Sequence, residues 1–365
     1  MLDKHPLQNI RSAKNECQNL MPHSKKLQCW EDLIDSVLKH QGIDQAFEIV
    51  QKLYTTEPVF ASNCHSYVHT IGEKAYRSFS SHQNFTLSPK TSYCGYGFYH
   101  AFMESLLLDG GDLNKARQFC DYVDKKMSGS IADAKGACYH GIGHGTADNH
   151  DQKYWHTEQA LVTPGLKLCE KVAPDDVLLD RCSSGVFNVL AIAYTSNRVK
   201  LDPPDPLQFC RQFTSSIYKK TCFEEMNTAL ISLSQGNFAT AVGFTQGIAD
   251  PAYAHFATRS LAGAVGMSRV SQNDFSKEIK VCQSLKDPLN LSCFNGFVGG
   301  LIEGGQPNTQ HIKALKFCQN SSLKENEQAA CFKEAFRMLS VYYTAEEYKQ
   351  MCKEMVEKYK NFCIS

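Results

Sequence analysis

The sixteen cysteines of this 365-residue chain constrain its fold more than any other feature. Their number is even, and the chain has no CxxC pair of the kind that is typical of zinc sites in a reducing cytosol. Taken two by two, the cysteines lie 12, 30, 18, 13, 12, 11, 13 and 11 residues apart. This pattern favours disulfides between neighbours in sequence, although sequence alone leaves other connectivities open. It also predicts an oxidising compartment: the extracellular space, the periplasm or the lumen of the secretory pathway.

An internal repeat follows the cysteines. The segment after the second cysteine of most pairs resembles the first turns of a helix, as in CSSGVFNVLAIAY from Cys182. A helical piece with a cysteine near its end precedes it, as in GLKLCEKV. Because a disulfide needs Cα atoms within about 6 Å, each pair would tie the last turn of one helix to the first turn of the next. The repeating unit is therefore predicted to be a helical hairpin that recurs every 30 to 44 residues or so.

Three places depart from the regular unit. Cys64 and Cys94 are predicted to open two successive helices, separated by the loop SSHQNFTLSPKTSY. Ala257, with Gln246 eleven residues earlier, marks a hairpin that has lost its cysteine pair. The last hairpin is truncated after Cys363 and would cap the array.

The predicted fold class is all-α, because alternating strand patterns with NG or DG turns do not appear. We expect stacked antiparallel helical hairpins stapled by disulfides, arranged as an α/α solenoid or a closed toroid. The expected divisions are an N-terminal hairpin cap over residues 1–60, histidine-rich repeats over 61–160 and further stapled hairpins over 161–365, within one continuous domain.

Charge and hydropathy exclude several classes of protein. The 38 basic and 38 acidic residues cancel, which argues against a nucleic-acid or anionic-membrane binder. No apolar run reaches 18 residues, so no transmembrane segment is predicted. The polar N-terminus, MLDKHPLQNIRSAKNE, does not resemble a signal peptide, and oxidised cysteines would imply that a signal or anchor has been removed. Sequons at Asn84, Asn290 and Asn320 are compatible with secretion.

The histidines are concentrated in one part of the chain, with eight of the thirteen between residues 65 and 156. Three successive helices carry a histidine followed four residues later by an acid, and two of these helices carry another histidine one turn earlier. The histidine–acid pairs are His69–Glu73, His100–Glu104 and His144–Asp148, and the additional histidines are His65 and His140. An i, i+4 spacing places both side chains on the same face of a helix.

The register of these helices predicts a shared site. His100 and His144 both lie six residues after a cysteine, and His69 lies five residues after one. Equivalent positions on packed helices are roughly 8 to 10 Å apart, so their side chains can meet. We therefore predict His65, His69, His100, His140 and His144 as ligands of a transition metal: Zn, Cu, Fe or Mn. Glu73, Glu104 and Asp148 would be ligands, would orient the imidazoles, or would act as general bases in catalysis.

Simpler explanations exist for each of these features. Single histidines usually make ordinary core or surface contacts, and this is the expectation for His23, His40, His82, His150, His156, His255 and His311. A histidine–acid pair can merely stabilise its helix. The glycines of CYHGIGHGTAD make room for a ligand or for a neighbouring helix. Tyrosines 67, 96, 99 and 139 belong to the core or donate hydrogen bonds to the site.

Two functions follow from these observations. The first is a secreted or periplasmic helical-repeat protein with a histidine/carboxylate metal site, which includes metal-dependent catalysis. The second is a disulfide-stabilised scaffold that binds a protein or peptide on a concave face without catalysis. The motifs HExxH, GxSxG, Walker A, GxGxxG and CxxCH are absent. A Cys64/His65 nucleophile would require a free Cys64.

Overall fold

The protein is helical wherever its structure is described. The computed structural model describes residues 17, 19–80, 85–128, 133–147, 156–202, 204–353 and 357–363. Within these ranges no strand forms, which confirms the all-α prediction.

The helices are named α1 to α19 in chain order. Their bounds are α1 (His23–Gln41), α2 (Ile43–Thr56), α3 (Pro58–Ser62), α4 (Cys64–Ser80), α5 (Gly97–Leu108), α6 (Leu113–Met127), α7 (Ala134–Ala147), α8 (Glu158–Val172), α9 (Asp176–Thr195), α10 (Gln208–Arg211), α11 (Ser216–Glu225), α12 (Asn227–Leu233), α13 (Phe238–Gln246), α14 (Pro251–Ser268), α15 (Ser276–Ser284), α16 (Leu289–Glu303), α17 (Gln310–Cys318), α18 (Glu325–Tyr342) and α19 (Ala345–Lys353). Two 3-10 helices cover Pro89–Ser92 and Glu357–Phe362.

Eight disulfides confirm the predicted pairing of neighbouring cysteines, and no cysteine is free. The pairs are Cys17–Cys29, Cys64–Cys94, Cys120–Cys138, Cys169–Cys182, Cys210–Cys222, Cys282–Cys293, Cys318–Cys331 and Cys352–Cys363. Five of them join successive helices, namely α6–α7, α8–α9, α10–α11, α15–α16 and α17–α18. Because Cys64 is bridged, a Cys64/His65 nucleophile is excluded.

Most of the second helices begin earlier than predicted. The sequence placed the start of α9 at Cys182, but the helix begins at Asp176, where the side chain of Asp175 accepts a hydrogen bond from the backbone N–H of Leu178. Such an N-cap satisfies a donor that the first helical turn would otherwise leave unpaired. The capping residue therefore fixes the start of the helix, and the disulfide lies in its second turn.

The hairpin without cysteines is present. Helix α13 ends at Gln246, and α14 begins at Pro251 after an aspartate cap at Asp250. The two helices contact each other. A short turn and a cap thus form this hairpin without a disulfide.

The long helices pack one against the next in the order α4, α5, α7, α9, α11, α14, α16 and α18. Glycines let neighbouring backbones touch. A Cβ atom at Gly143 would lie 1.9 Å from the carbonyl oxygen of Cys182, and one at Gly141 would lie 2.4 Å from that of Tyr99. The glycines of CYHGIGHGTAD therefore admit neighbouring helices, and this packing holds α7 close to α5 and α9.

Residues from the two ends of this series also meet. Tyr93 donates a hydrogen bond of 3.0 Å to Asn308, and Tyr96 donates one of 3.2 Å to the carbonyl of Val341. The hydroxyl of Tyr54 donates to the carbonyl of Gly304. These contacts bring α16 and α18 beside the helices that carry the histidines.

Helix α9 is the one helix of the described ranges that is long and apolar enough to cross a membrane. In this structure 67 % of its apolar window is buried inside the protein. A buried core helix of a protein can have the same length and composition.

Candidate metal centre

The structure brings together all five histidines that the sequence predicted as ligands. His65 and His69 lie on α4, His100 on α5, and His140 and His144 on α7. They form two groups of three that share His100, and within each group the candidate ligand nitrogens lie within 4.8 Å of one another. We name these the α4–α5 trio (His65, His69, His100) and the α5–α7 trio (His100, His140, His144).

The spacing of the rings suits coordination. The ring centroids are 4.7, 5.1 and 5.2 Å apart in the α4–α5 trio and 4.7, 4.8 and 5.0 Å apart in the α5–α7 trio. Two imidazoles on one tetrahedral ion, with bonds of about 2.0–2.1 Å, would have centroids about 5 Å apart. Simple aromatic packing gives overlapping distances of about 4.5–7 Å. The positions of the ring nitrogens and their hydrogen-bond partners must therefore distinguish metal coordination from simple aromatic packing.

Two of the imidazoles have a hydrogen-bond acceptor on the nitrogen that faces away from the trio. The Nδ1 of His65 is 2.8 Å from the carbonyl oxygen of Cys94, and the Nδ1 of His144 is 3.0 Å from Oε1 of Glu104. An acceptor at Nδ1 holds the proton there and leaves the lone pair on Nε2. Imidazoles that ligate metals are held in this way by carboxylates and carbonyls.

A longer chain of contacts orients His140. Its Nδ1 lies 3.0 Å from the hydroxyl of Ser184, which donates its own proton to the carboxylate of Glu225. The second oxygen of Glu225 accepts a hydrogen bond of 2.8 Å from Asn188. Because the Ser184 proton is already donated, the hydroxyl accepts from His140 Nδ1–H, and Nε2 of His140 carries the lone pair.

The Nε2 atom of His144 is the most informative atom of the cluster. The residue is only 3 % exposed, and Nε2 is buried without a hydrogen-bond partner among the described residues. A buried polar atom without a partner costs roughly 1–3 kcal/mol, so it calls for an explanation. A metal ion bound at this nitrogen would provide one.

The facing nitrogens of His65 and His69 also suit a metal ion. Nε2 of His69 lies 3.0 Å from Nε2 of His65. In the absence of an ion, one of the two donates a proton to the other. Both lone pairs can instead converge on one cation.

The surroundings favour the neutral imidazoles that a metal requires. Burial lowers the pKa of His65, and it lowers the pKa values of His69, His100 and His140 well below the usual value of 6.5. Neighbouring histidines lower the pKa of His100 further. Each of these four residues as a whole keeps some exposed surface.

An unusual turn precedes α5. Cys94, Gly95 and Tyr96 have φ values of +56°, +71° and +60°. For residues other than glycine, left-handed backbone costs roughly 1–2 kcal/mol each. The turn directs the Cys94 carbonyl at His65. It also leaves Gly95 beside Glu303, because a Cβ at Gly95 would lie 3.2 Å from Oε1 of that carboxyl.

The predicted carboxylates separate into different environments. The side chain of Glu104 is 23 % exposed and contacts His144 on the neighbouring helix α7, whereas the sequence paired it with His100 on its own helix. The side chain of Glu73 is 48 % exposed and pairs with Arg77, so the predicted His69–Glu73 contact is replaced by a surface ion pair. Asp148 lies outside the described residues.

Several residues near the cluster were not predicted. Ser184 and Asn188 lie two and six residues after Cys182, as His140 and His144 lie after Cys138. The same register could have identified them. Glu303 lies ten residues after Cys293, as Glu104 lies ten residues after Cys94, so register could have identified it too. Glu225 had no comparable signal. Burial raises the pKa of Glu225, while hydrogen bonds from Ser184 and Asn188 lower it.

The four tyrosines are buried in the core, where the hydroxyls of Tyr67 and Tyr139 lack a hydrogen-bond partner among the described residues. Tyr67 stacks on Phe60 with centroids 4.2 Å apart, and the buried Tyr99 hydroxyl lies 2.9 Å from that of Thr91. Three histidines outside the cluster make ordinary contacts. His255 contacts Ser292, His311 contacts Tyr343, and His40 contacts the carbonyl of Ser36. His82 and His150 lie outside the described residues.

No protein-family model matches the chain, and a search of curated proteins returned no relative. The disulfides nevertheless indicate an oxidising, extracellular-type environment. The chain is therefore characterised by its own features: an all-helical protein with eight disulfides and a cluster of five histidines that could hold metal.

Proposed function

We propose that this protein binds a transition metal through His65, His69, His100, His140 and His144. The observation that carries the proposal is the Nε2 atom of His144, which is buried and unpaired within a group of converging imidazoles. Acceptors behind His65, His140 and His144 support the same conclusion, since each holds a proton on Nδ1 and leaves Nε2 for an ion.

The ligand set favours some metals over others. Imidazole suits Cu, Zn and Fe, while Mn prefers carboxylate and water. No carboxylate takes part in either trio. The expected order of affinity is therefore Cu(II), then Zn, then Fe, with Mn weakest.

The geometry is also compatible with catalysis. Three protein ligands leave a fourth position for water or substrate, as in catalytic zinc sites. Glu104 would orient His144 and strengthen it as a ligand. Hydrolysis and oxidation are both open to such a site. Glu73 has no part in this proposal, since it pairs with Arg77 at the surface.

The proposal also covers the compartment in which the protein acts and the arrangement of its helical hairpins. Eight disulfides favour a secreted or periplasmic protein. Contacts of Tyr93 and Tyr96 with residues near the C-terminus favour hairpins closed into an α/α ring rather than an open solenoid. A scaffold that binds a protein or peptide on its concave face is the alternative, and it would have the same fold without bound metal.

Metal analysis tests the proposal. The oxidised full-length chain is loaded separately with Cu(II), Zn, Fe(II) and Mn(II), desalted and analysed for bound metal. The proposal predicts tight binding of copper and zinc, lost when His69, His100 and His144 are changed together to alanine. His255→Ala, which removes a histidine outside the cluster, is the matched control. No bound metal in the wild-type protein would contradict the proposal and favour the scaffold.

A further inference from the structure

The two trios meet at a single residue, His100. The His100 ring contacts all four of the other imidazoles, with centroids 4.7 to 5.2 Å away. Among these five described residues, no ring contact joins His65 or His69 to His140 or His144. His100 on α5 therefore stands between two separate histidine pairs, one on α4 and one on α7.

One ion cannot readily bind all five rings. With bonds of about 2.0–2.1 Å, two nitrogens on the same ion are at most about 4.2 Å apart. The candidate nitrogens lie within 4.8 Å only inside each trio, and the trios share only His100. The arrangement thus contains two adjacent positions for an ion.

His100 also differs from the other four histidines in its hydrogen bonds. The nitrogens of His65, His140 and His144 that face away from the cluster contact acceptors, and His69 contacts His65. Among the described residues, no hydrogen bond reaches either nitrogen of His100. Both of its nitrogens are therefore available as ligands, which a bridging imidazole requires.

We propose that the five histidines bind two metal ions, one in each trio, and that the His100 imidazole bridges them. This inference rests on the proposed metal-binding function. The ions would be about 6 Å apart, the sum of two metal–nitrogen bonds and the width of the ring. This separation exceeds the roughly 3.5–4 Å of two-metal sites that share an oxygen.

The bridge requires the loss of one proton. Neutral imidazole has one lone pair and one N–H group. The lone pair binds the first ion, and the second ion binds the other nitrogen as its proton leaves for solvent. The product is an imidazolate with one negative charge. Carboxylates behind the cluster further offset the charge of the ions, since Glu104 contacts His144 and Glu225 contacts the Ser184 hydroxyl that faces His140.

Copper titration tests the bridge. Cu(II) is added to the full-length oxidised protein, while bound copper is counted and the electron paramagnetic resonance spectrum is recorded at low temperature. We expect two copper ions per chain. The signal of isolated Cu(II) should grow with the first equivalent and decrease with the second as the two spins couple through the ring.

Histidine variants distinguish the two proposed ion positions. The double changes His65→Ala/His69→Ala and His140→Ala/His144→Ala should each leave one copper ion with an isolated signal. His100→Ala should abolish the coupling and weaken copper binding at least tenfold. His255→Ala should retain two coupled ions. The double variants leave α5 unchanged, so they keep the test decisive even where His100→Ala does not fold.

Each contrary outcome has a distinct meaning. One copper ion per wild-type chain at saturation would overturn the two-ion centre but leave the proposed metal-binding function standing. Two ions with independent signals would overturn the bridge. No bound copper would contradict both the bridge and the proposed function.

Discussion

Glycines at the helix contacts pack the histidine-bearing helices in the same way as the pair α14–α16. The two regions nevertheless carry different side chains. In α7, Gly143 would place a Cβ 1.9 Å from the Cys182 carbonyl oxygen, and in α16, Gly300 would place one 1.9 Å from that of Gly263. Both regions thus need glycine for contact between backbones. Among the described residues, only the first carries a cluster of imidazoles that could hold a metal ion.

The two regions also differ in how their polar side chains are paired. In the later helices the polar side chains form ion pairs, as where Arg259 contacts Glu334, or a single hydrogen bond, as between His255 and Ser292. In the α5–α7 trio the buried Nε2 of His144 lacks a hydrogen-bond partner among the described residues, as does Oδ1 of Asn295 in α16. Only His144 of these two lies in a group of converging imidazoles. Disulfides and glycines therefore recur along the chain, and three of the helices add a cluster of histidines that could hold a metal ion.

The largest expected effect is on stability and concerns the glycines that pack the helices in both regions. Gly143→Ala and Gly300→Ala should each lower the free energy of unfolding by about 1–3 kcal/mol, because the added methyl group forces the helices apart. Only Gly143→Ala should also weaken metal binding, since it moves α7. Urea unfolding and zinc titration measure both quantities.

A matched control is available for the glycine variants. A Cβ at Gly243 in α13 would meet nothing within 4 Å. Gly243→Ala should therefore leave stability unchanged or raise it by up to about 1 kcal/mol. Equal zinc affinity in Gly143→Ala and Gly300→Ala would contradict the link between helix packing and the cluster.

The next effect concerns two glutamates that the sequence treated as equivalent. Glu104→Ala should lower metal affinity by roughly 10- to 100-fold, because His144 loses the carboxylate that orients it. Glu73→Ala should leave affinity unchanged, since Glu73 pairs with Arg77 at the surface. Isothermal titration with zinc measures both, and a similar loss in the two variants would refute the distinction.

The smallest expected effect is a pH dependence of stability that arises from Glu303, which lies beside Gly95 where the two regions meet. Burial raises the pKa of Glu303 from 4.5 to about 7. Between these values the folded protein keeps a proton that the unfolded chain has released, so the stability contributed by this group falls as pH rises and is lost above 7.

Glu303→Gln removes this dependence, because an amide does not ionise. The metal-free variant should match the wild type near pH 4 and be more stable at pH 8, by about 1 kcal/mol after allowance for solvent screening. Urea unfolding at both pH values measures the difference. A variant that is less stable than the wild type at pH 8 would show that the Glu303 carboxylate stabilises the fold.

The sequence predicted the disulfides and the histidine cluster because both depend on spacing along the chain. Cysteines tie neighbours in a hairpin, and i, i+4 histidines share a helix face. The left-handed turn at Cys94–Tyr96 and the position of Glu303 beside Gly95 depend on contacts between distant segments. The partner of Glu104 depends on how α5 lies against α7. No local pattern contains that information.

A crystal structure of the zinc-loaded protein, with anomalous diffraction measured across the zinc edge, would show whether the five histidines bind metal. We predict anomalous peaks between α4, α5 and α7, about 2.0–2.1 Å from imidazole nitrogens that include Nε2 of His144. No peak there, or peaks only at surface carboxylates with Nε2 of His144 still unpaired, would contradict this prediction.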